Sequence, residues 1–145
     1  MLRCADVMKL MDGMDFIIAT DFDDTLAYTV NYPVIGKPTK WFYQLKELQE
    51  KFPNLQTILW TCRADKPLKD AVKFCKDNGL RIDAINEDVK STLKWKGKTP
   101  KPFAHIYVDD RAICAYKDIE DVYRKLIQYA NKYLGKMEPR AVCHC

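Results

Sequence analysis

Apolar positions along this chain fall into two alternating rhythms: short, mostly apolar runs, and longer stretches that repeat about every 3.6 residues. The runs centre on Phe16-Ile17-Ile18-Ala19, Thr57-Ile58-Leu59-Trp60, Ile82 to Ile85 and Ala104 to Val108. Rich in β-branched and aromatic residues, they predict strands over about 15–20, 57–60, 82–85 and 104–108, buried on both faces as in a parallel sheet. Trp41, Phe42, Leu45 and Leu48 share one face of a helix over about 39–51, with Pro38 at its start. Leu68, Ala71, Val72 and Cys75 do the same over about 67–78, and Gly79 supplies the left-handed stop. The clearest period, from Ile119 through Val122, Tyr123 and Leu126 to Leu134, predicts a helix over about 117–134 closed by Gly135.

Strands that alternate with helices predict an α/β fold, a three-layer sandwich around a central parallel sheet. The remaining segments are connections. Residues 26–33 read as an extended loop or short hairpin, and 86–101 as a basic, turn-rich crossover. One domain is expected over 1–145, with its core over about 15–134 and a flexible tail over 136–145.

Composition narrows the setting. At 145 residues the chain is long enough to bury a real core. No apolar run approaches the ~20 residues that span a bilayer, and the first residues lack the apolar segment of a secretory signal. A soluble, cytoplasmic protein without a membrane partner is expected. The net charge of +4 would help attract an anion without marking a nucleic-acid binder. Six cysteines follow no zinc-site spacing and read as reduced thiols. The terminal Cys143-His144-Cys145 is an incomplete soft-metal set on a flexible tail.

The chemistry gathers at strand ends. The first run terminates in Asp21, Asp23 and Asp24, three carboxylates in four positions. Such a cluster repels itself unless a cation compensates, and a hard cation such as Mg²⁺ takes oxygen ligands of this kind. Thr61 and Arg63 follow the second strand, and Asp109 and Asp110 follow the fourth. Parallel sheets bring the carboxyl ends of their strands to one edge, where ligands bind. Lys101 or Lys98, just before the fourth strand, can reach that edge. Trp60, Tyr107, Tyr28, Tyr32 and Trp41 are expected to pack in the core, although a ring beside the acidic cluster could stack on a base. Arg63 reaches substrate or lies exposed. Lys90, Lys94, Lys96, Lys98 and Lys101, with no acidic residue among them, are expected to border the site and guide an extended anion.

The order Asp21-x-Asp23-x-Thr25, then Thr61, then a lysine, then Asp109-Asp110 resembles the four motifs of the haloacid dehalogenase-like (HAD) superfamily of phosphohydrolases. The resemblance runs over about residues 15–134. Tyr32-Pro33-Val34-Ile35-Gly36, Leu59-Trp60-Thr61 and Val108-Asp109-Asp110-Arg111 are similar to small cap-less bacterial and phage members, and the Asp-Asp-Arg ending to the phosphatase domain of polynucleotide kinase-phosphatases. The resemblance implies Asp21 as nucleophile, with an aspartyl-phosphate intermediate, and Asp23 as acid and base. It implies Mg²⁺ on the Asp21 carboxylate, the Asp23 carbonyl and a carboxylate of Asp109 or Asp110. Thr61 would hold phosphoryl oxygens, with Lys101 or Lys98 stabilising transition-state charge. Asp24 departs from the pattern, which often has glycine there. The short gaps leave no room for a large cap. An open site suits a bulky phosphorylated substrate: a nucleotide, a nucleic-acid end or a phosphoprotein. A small phosphometabolite with a lid from a partner subunit is the alternative. A phosphoacceptor module of receiver type also clusters aspartates, but its acidic pair follows the first strand, and here the second pair follows the fourth.

Overall fold

The computed structural model describes residues 15–113 and 118–134. In chain order these form β1 (Phe16–Thr20), α1 (Lys40–Lys51), β2 (Leu55–Leu59), α2 (Asp65–Asp77), β3 (Ala84–Ile85), α3 (Lys90–Leu93), β4 (Ile106–Val108) and α4 (Ile119–Leu134). The strands pair in the order β3-β2-β1-β4, all parallel. The expected α/β architecture is therefore present, and no large cap interrupts it among the described residues. Cys4, Cys114, Gly135 and the Cys143-His144-Cys145 tail lie outside those residues.

All five residues of β1 are buried, as its unbroken apolar run requires. Strand alternation sends Phe16 and Ile18 to one face and Ile17 and Ala19 to the other. The first face joins a large cluster with Trp41, Phe42 and Leu45 of α1, Cys75 of α2, and Val122 and Leu126 of α4. The second face is thinner: Ile17, Ala19, Ile58 and Ala84 pack with Val89 and Ala104, and with Trp60 and Phe103. The basic, turn-rich connection from β3 to β4 thus covers this face as a third layer made of a short helix and a folded loop.

Two strands are shorter than their apolar runs, for a shared reason. Ahead of β4, the Ile17 N–H donates to His105 Nδ1 at 3.0 Å while the His105 N–H donates to the Ile17 carbonyl at 2.9 Å. Ahead of β3, the Thr57 N–H donates to the Asp83 carboxylate at 2.7 Å and the Asp83 N–H to the Thr57 carbonyl at 2.8 Å. A side chain replaces one backbone partner in each pair, so the ladder starts a residue later while every donor stays satisfied. Elsewhere, Thr39 caps α1 by accepting from the Phe42 N–H, and Gly79 takes a φ of +78° after α2.

Three aromatics correct the expectation of core packing: Tyr28, Tyr32 and Tyr107 are exposed, whereas Trp41 is buried. The Tyr107 ring lies off the core because its hydroxyl is recruited to the preceding loop, donating to the Pro102 carbonyl and accepting from the Ala104 N–H.

Candidate functional site

The register places Thr20 beside Val108, so Asp21 and Asp109 leave the sheet side by side, and the Asp21 N–H donates to the Val108 carbonyl at 2.9 Å. Oxygens of Asp21, Asp109 and Asp110 lie within 4.8 Å of one another. Burial raises the Asp21 carboxyl; the Thr25 hydroxyl works against that, the charge of Asp109 works with it, and the result is about 7. A carboxylate pushed that far is electrostatically uncompensated, and this donor set suits a hard cation.

The turn after β1 is tightly tied. The Phe22 carbonyl accepts the N–H groups of Leu26 and Ala27. Asp24 sits at φ +56°, where its carboxylate accepts the Thr29 N–H at 2.9 Å. That left-handed backbone explains why glycine suits this position, and why aspartate is among the few alternatives that tolerate it. The Thr39 hydroxyl donates to the carbonyls of Thr25 and Leu26, clamping the turn to the start of α1.

Asp23 stands outside the carboxylate cluster. Its oxygens accept from Arg63 Nε at 2.9 and 3.2 Å, from Nη2 at 2.7 Å, and from the Thr29 hydroxyl at 2.7 Å. Burial acts against its charge, but the bonds from Arg63 and Thr29 outweigh it and hold the carboxyl below the usual range. Arg63 itself is 2% exposed. The expectation of a substrate-facing or exposed arginine is corrected: the residue following Thr61-Cys62 turns inward to pair with Asp23.

Thr61 lies at the end of β2, its backbone held by Asn86. The Thr61 N–H donates to Asn86 Oδ1 at 2.8 Å, and Asn86 Nδ2 donates to the Thr61 carbonyl at 3.0 Å. The Thr61 oxygen accepts the Arg63 N–H, which leaves its hydroxyl proton for an anion. Asn86 escaped the sequence reading because a lone asparagine after a short strand looks like any turn residue. Its φ of +50° is the local sign of that turn.

Lys101 is exposed with its ammonium 4.7 Å from the Tyr107 ring centre, two residues ahead of Asp109, and Lys98 is exposed in the same loop. Neither lines the cavity of roughly 210 Å³ that opens beside Asp109 and Asp110 between Tyr28 and the start of α1. Among the described residues the cation that lines it is Lys40, 3.4 Å from Asp118. Periodicity gave no warning of this, since Lys40 reads as the first polar residue of a helix.

No family model matches the chain, and no curated protein matches it. Among solved structures it is similar to the conserved protein coded by a locus of Bacteroides thetaiotaomicron, with 30% identity and a TM-score of 0.61 over 81% of this chain and 96% of that one. The two share the α/β fold. Among the described residues no helix is long and apolar enough to cross a membrane.

Proposed function

We propose that this protein is a Mg²⁺-dependent phosphomonoesterase of the haloacid dehalogenase-like type, acting through an aspartyl-phosphate on Asp21. The observation that carries the reading is the meeting of Asp21 with Asp109 and Asp110, from the ends of two neighbouring parallel strands, within 4.8 Å. Thr61 at the end of the adjacent strand supports it. Mg²⁺, held by Asp21, the Asp23 carbonyl and Asp109 or Asp110, would neutralise charge on the phosphoryl group.

An oxygen of Asp21 attacks phosphorus and the bond to the leaving oxygen breaks; that oxygen takes a proton from Asp23, which has first accepted it from the monoanionic phosphate ester, since Arg63 and Thr29 keep the free carboxyl ionised. Water then attacks phosphorus, the Asp21–phosphorus bond breaks, and the water's proton passes to Asp23. Thr61 donates to a phosphoryl oxygen. Of the two lysines, Lys101, the nearer in sequence to Asp109, is proposed to meet the developing charge. With no large cap among the described residues, the site suits a bulky substrate such as a nucleotide, a nucleic-acid end or a phosphoprotein. Among the described residues Cys62 and Cys75 are free thiols, which suits the reducing cytoplasm.

The test is phosphate release from an aryl phosphate, with Mg²⁺ and then with excess chelator, by the native chain and by Asp21→Asn. The reading requires turnover with the metal only, abolished in the variant. Turnover that survives chelation or the substitution rejects it. A panel of phosphorylated oligonucleotides, phosphopeptides and small phosphate esters then ranks the substrate classes.

A further inference from the structure

We infer that Arg63 is the positioning residue of Asp23, holding that carboxylate out of the Asp21–Asp109–Asp110 cluster in the place from which it exchanges protons. This rests on the phosphomonoesterase reading and adds to it a residue that never meets substrate.

Arg63 is committed on every side. Nε and Nη2 fork onto the Asp23 carboxylate, while Nη1 donates to the carbonyls of Pro33 at 3.1 Å and Pro67 at 3.2 Å. The guanidinium lies 4.9 Å from the ring centre of Phe22 and 5.0 Å from that of Tyr32. A planar fork held by two carbonyls and two rings has one orientation, so the carboxylate it grips has one as well. The hydroxyl of Thr29 adds a third fixed donor to the same carboxylate.

The two aspartates need opposite treatment. Asp21 must face a cation and phosphorus, whereas a further carboxylate inside that cluster would add repulsion and compete as a ligand. Arg63, with Thr29, holds the Asp23 carboxylate on donors of its own, apart from those of Asp21. A displaced proton-transfer group costs on the order of 10²-fold for ångström-scale errors.

The experiment compares kcat/KM for two aryl phosphates, one with a good leaving group and one with a poor one. The proteins are the native chain, Arg63→Lys, Arg63→Met, Asp23→Asn and the Asp23→Asn/Arg63→Met pair. Lysine keeps the charge and loses the fork. Each Arg63 substitution should slow the poor leaving group about 10- to 100-fold while sparing the good one, as expected for a lost proton transfer. In the Asp23→Asn background, removing Arg63 should add little. Equal losses on both substrates, or single losses that multiply in the double variant, overturn the role. Should the Arg63 variants fail to fold, Thr29→Val perturbs the same carboxylate from a half-buried loop position. It should show a smaller loss of the same leaving-group pattern, and a loss that ignores the leaving group overturns the inference. Absence of turnover by the native chain with Mg²⁺ defeats the phosphomonoesterase reading and this inference with it. Native turnover with the wrong pattern defeats only the role of Arg63.

Discussion

The Thr25 hydroxyl donates to the Asp21 carboxylate at 3.0 Å, four residues along the same turn, and the same oxygen accepts the Asp110 N–H at 3.2 Å. One side chain thus ties the end of β1 to the end of β4. Thr25→Val keeps the shape and deletes both bonds in a buried setting, a loss of ~1–3 kcal/mol in unfolding free energy. The larger effect should fall on turnover, since Asp21 loses its orienting donor and the Asp110 backbone its acceptor. Thr25→Ser should retain most of both. Denaturant midpoints and kcat for the two variants check this, and a valine variant with native turnover would show that the bridge has no functional part.

Metal binding should be visible without catalysis. A cation that binds only the folded chain stabilises it by ~2.7 kcal/mol at a hundredfold excess over Kd. Mg²⁺ should therefore raise the melting temperature by several degrees, and chelator should reverse it. Asp109→Asn separates the two electrostatic effects, because its Oδ1 can still accept the Arg111 N–H while the charge beside Asp21 is gone. Without metal this variant should melt at or above the native temperature, and its response to Mg²⁺ should be much reduced. A native-sized Mg²⁺ shift in the variant would remove Asp109 from the ligand set.

A pH dependence follows from His105. Burial lowers its pKa, only partly opposed by Asp15. The neutral ring is required because Nδ1 accepts the Ile17 N–H, with the ring stacked on Phe16 at 4.9 Å. The unfolded chain then binds the proton more readily than the folded one. Stability from this residue is present above the ordinary histidine value of about 6.5 and is lost as pH falls from there through the lowered folded value. His105→Gln, which can still accept through its amide oxygen, should be less sensitive between pH 7.5 and 5. Parallel denaturation midpoints at the two pH values in both proteins would contradict this.

Hydrophobic pattern made the sheet and its three long helices legible, because short, mostly apolar runs and helical periods have few other physical solutions. The strand-end positions of Asp21, Thr61, Asp109 and Asp110 were legible for the same reason. Pairings between distant residues were not. Nothing local marks Arg63 as buried: its partner Asp23 lies forty positions earlier, and an arginine after a strand usually meets solvent. Asn86 and His105 act through backbone groups of another strand, which no spacing rule encodes. Tyr28, Tyr32 and Tyr107 read as core because they are large and apolar, yet two flank the loop beside the site and the third serves its own loop.

The basic crossover divides into lysines with different duties, and that division can be tested. Lys96 is engaged: its ammonium donates to Asp88 at 2.7 Å and to the Thr99 hydroxyl at 2.6 Å, while the other Asp88 oxygen accepts the Phe103 N–H. Asp88 is buried, and Lys96 together with the Phe103 N–H outweighs that burial and keeps its carboxyl below the usual range. Lys96 therefore fastens the loop that covers the second sheet face, a correction to the expectation that it guides substrate. Lys90 and Lys94 are exposed. Lys96→Ala leaves a buried carboxylate without its cation and should cost about 3 kcal/mol of stability. Lys90→Ala/Lys94→Ala should leave the denaturant midpoint within about 0.5 kcal/mol of native. If the crossover guides a polyanion, that double variant should bind a single-stranded oligonucleotide phosphate more weakly, with a log–log salt slope shallower by about 1.4, or 0.7 per lost contact. Hydrolysis of a small aryl phosphate should be almost unchanged. An unaltered slope would deny the loop any steering role and make a small phosphometabolite the better substrate class.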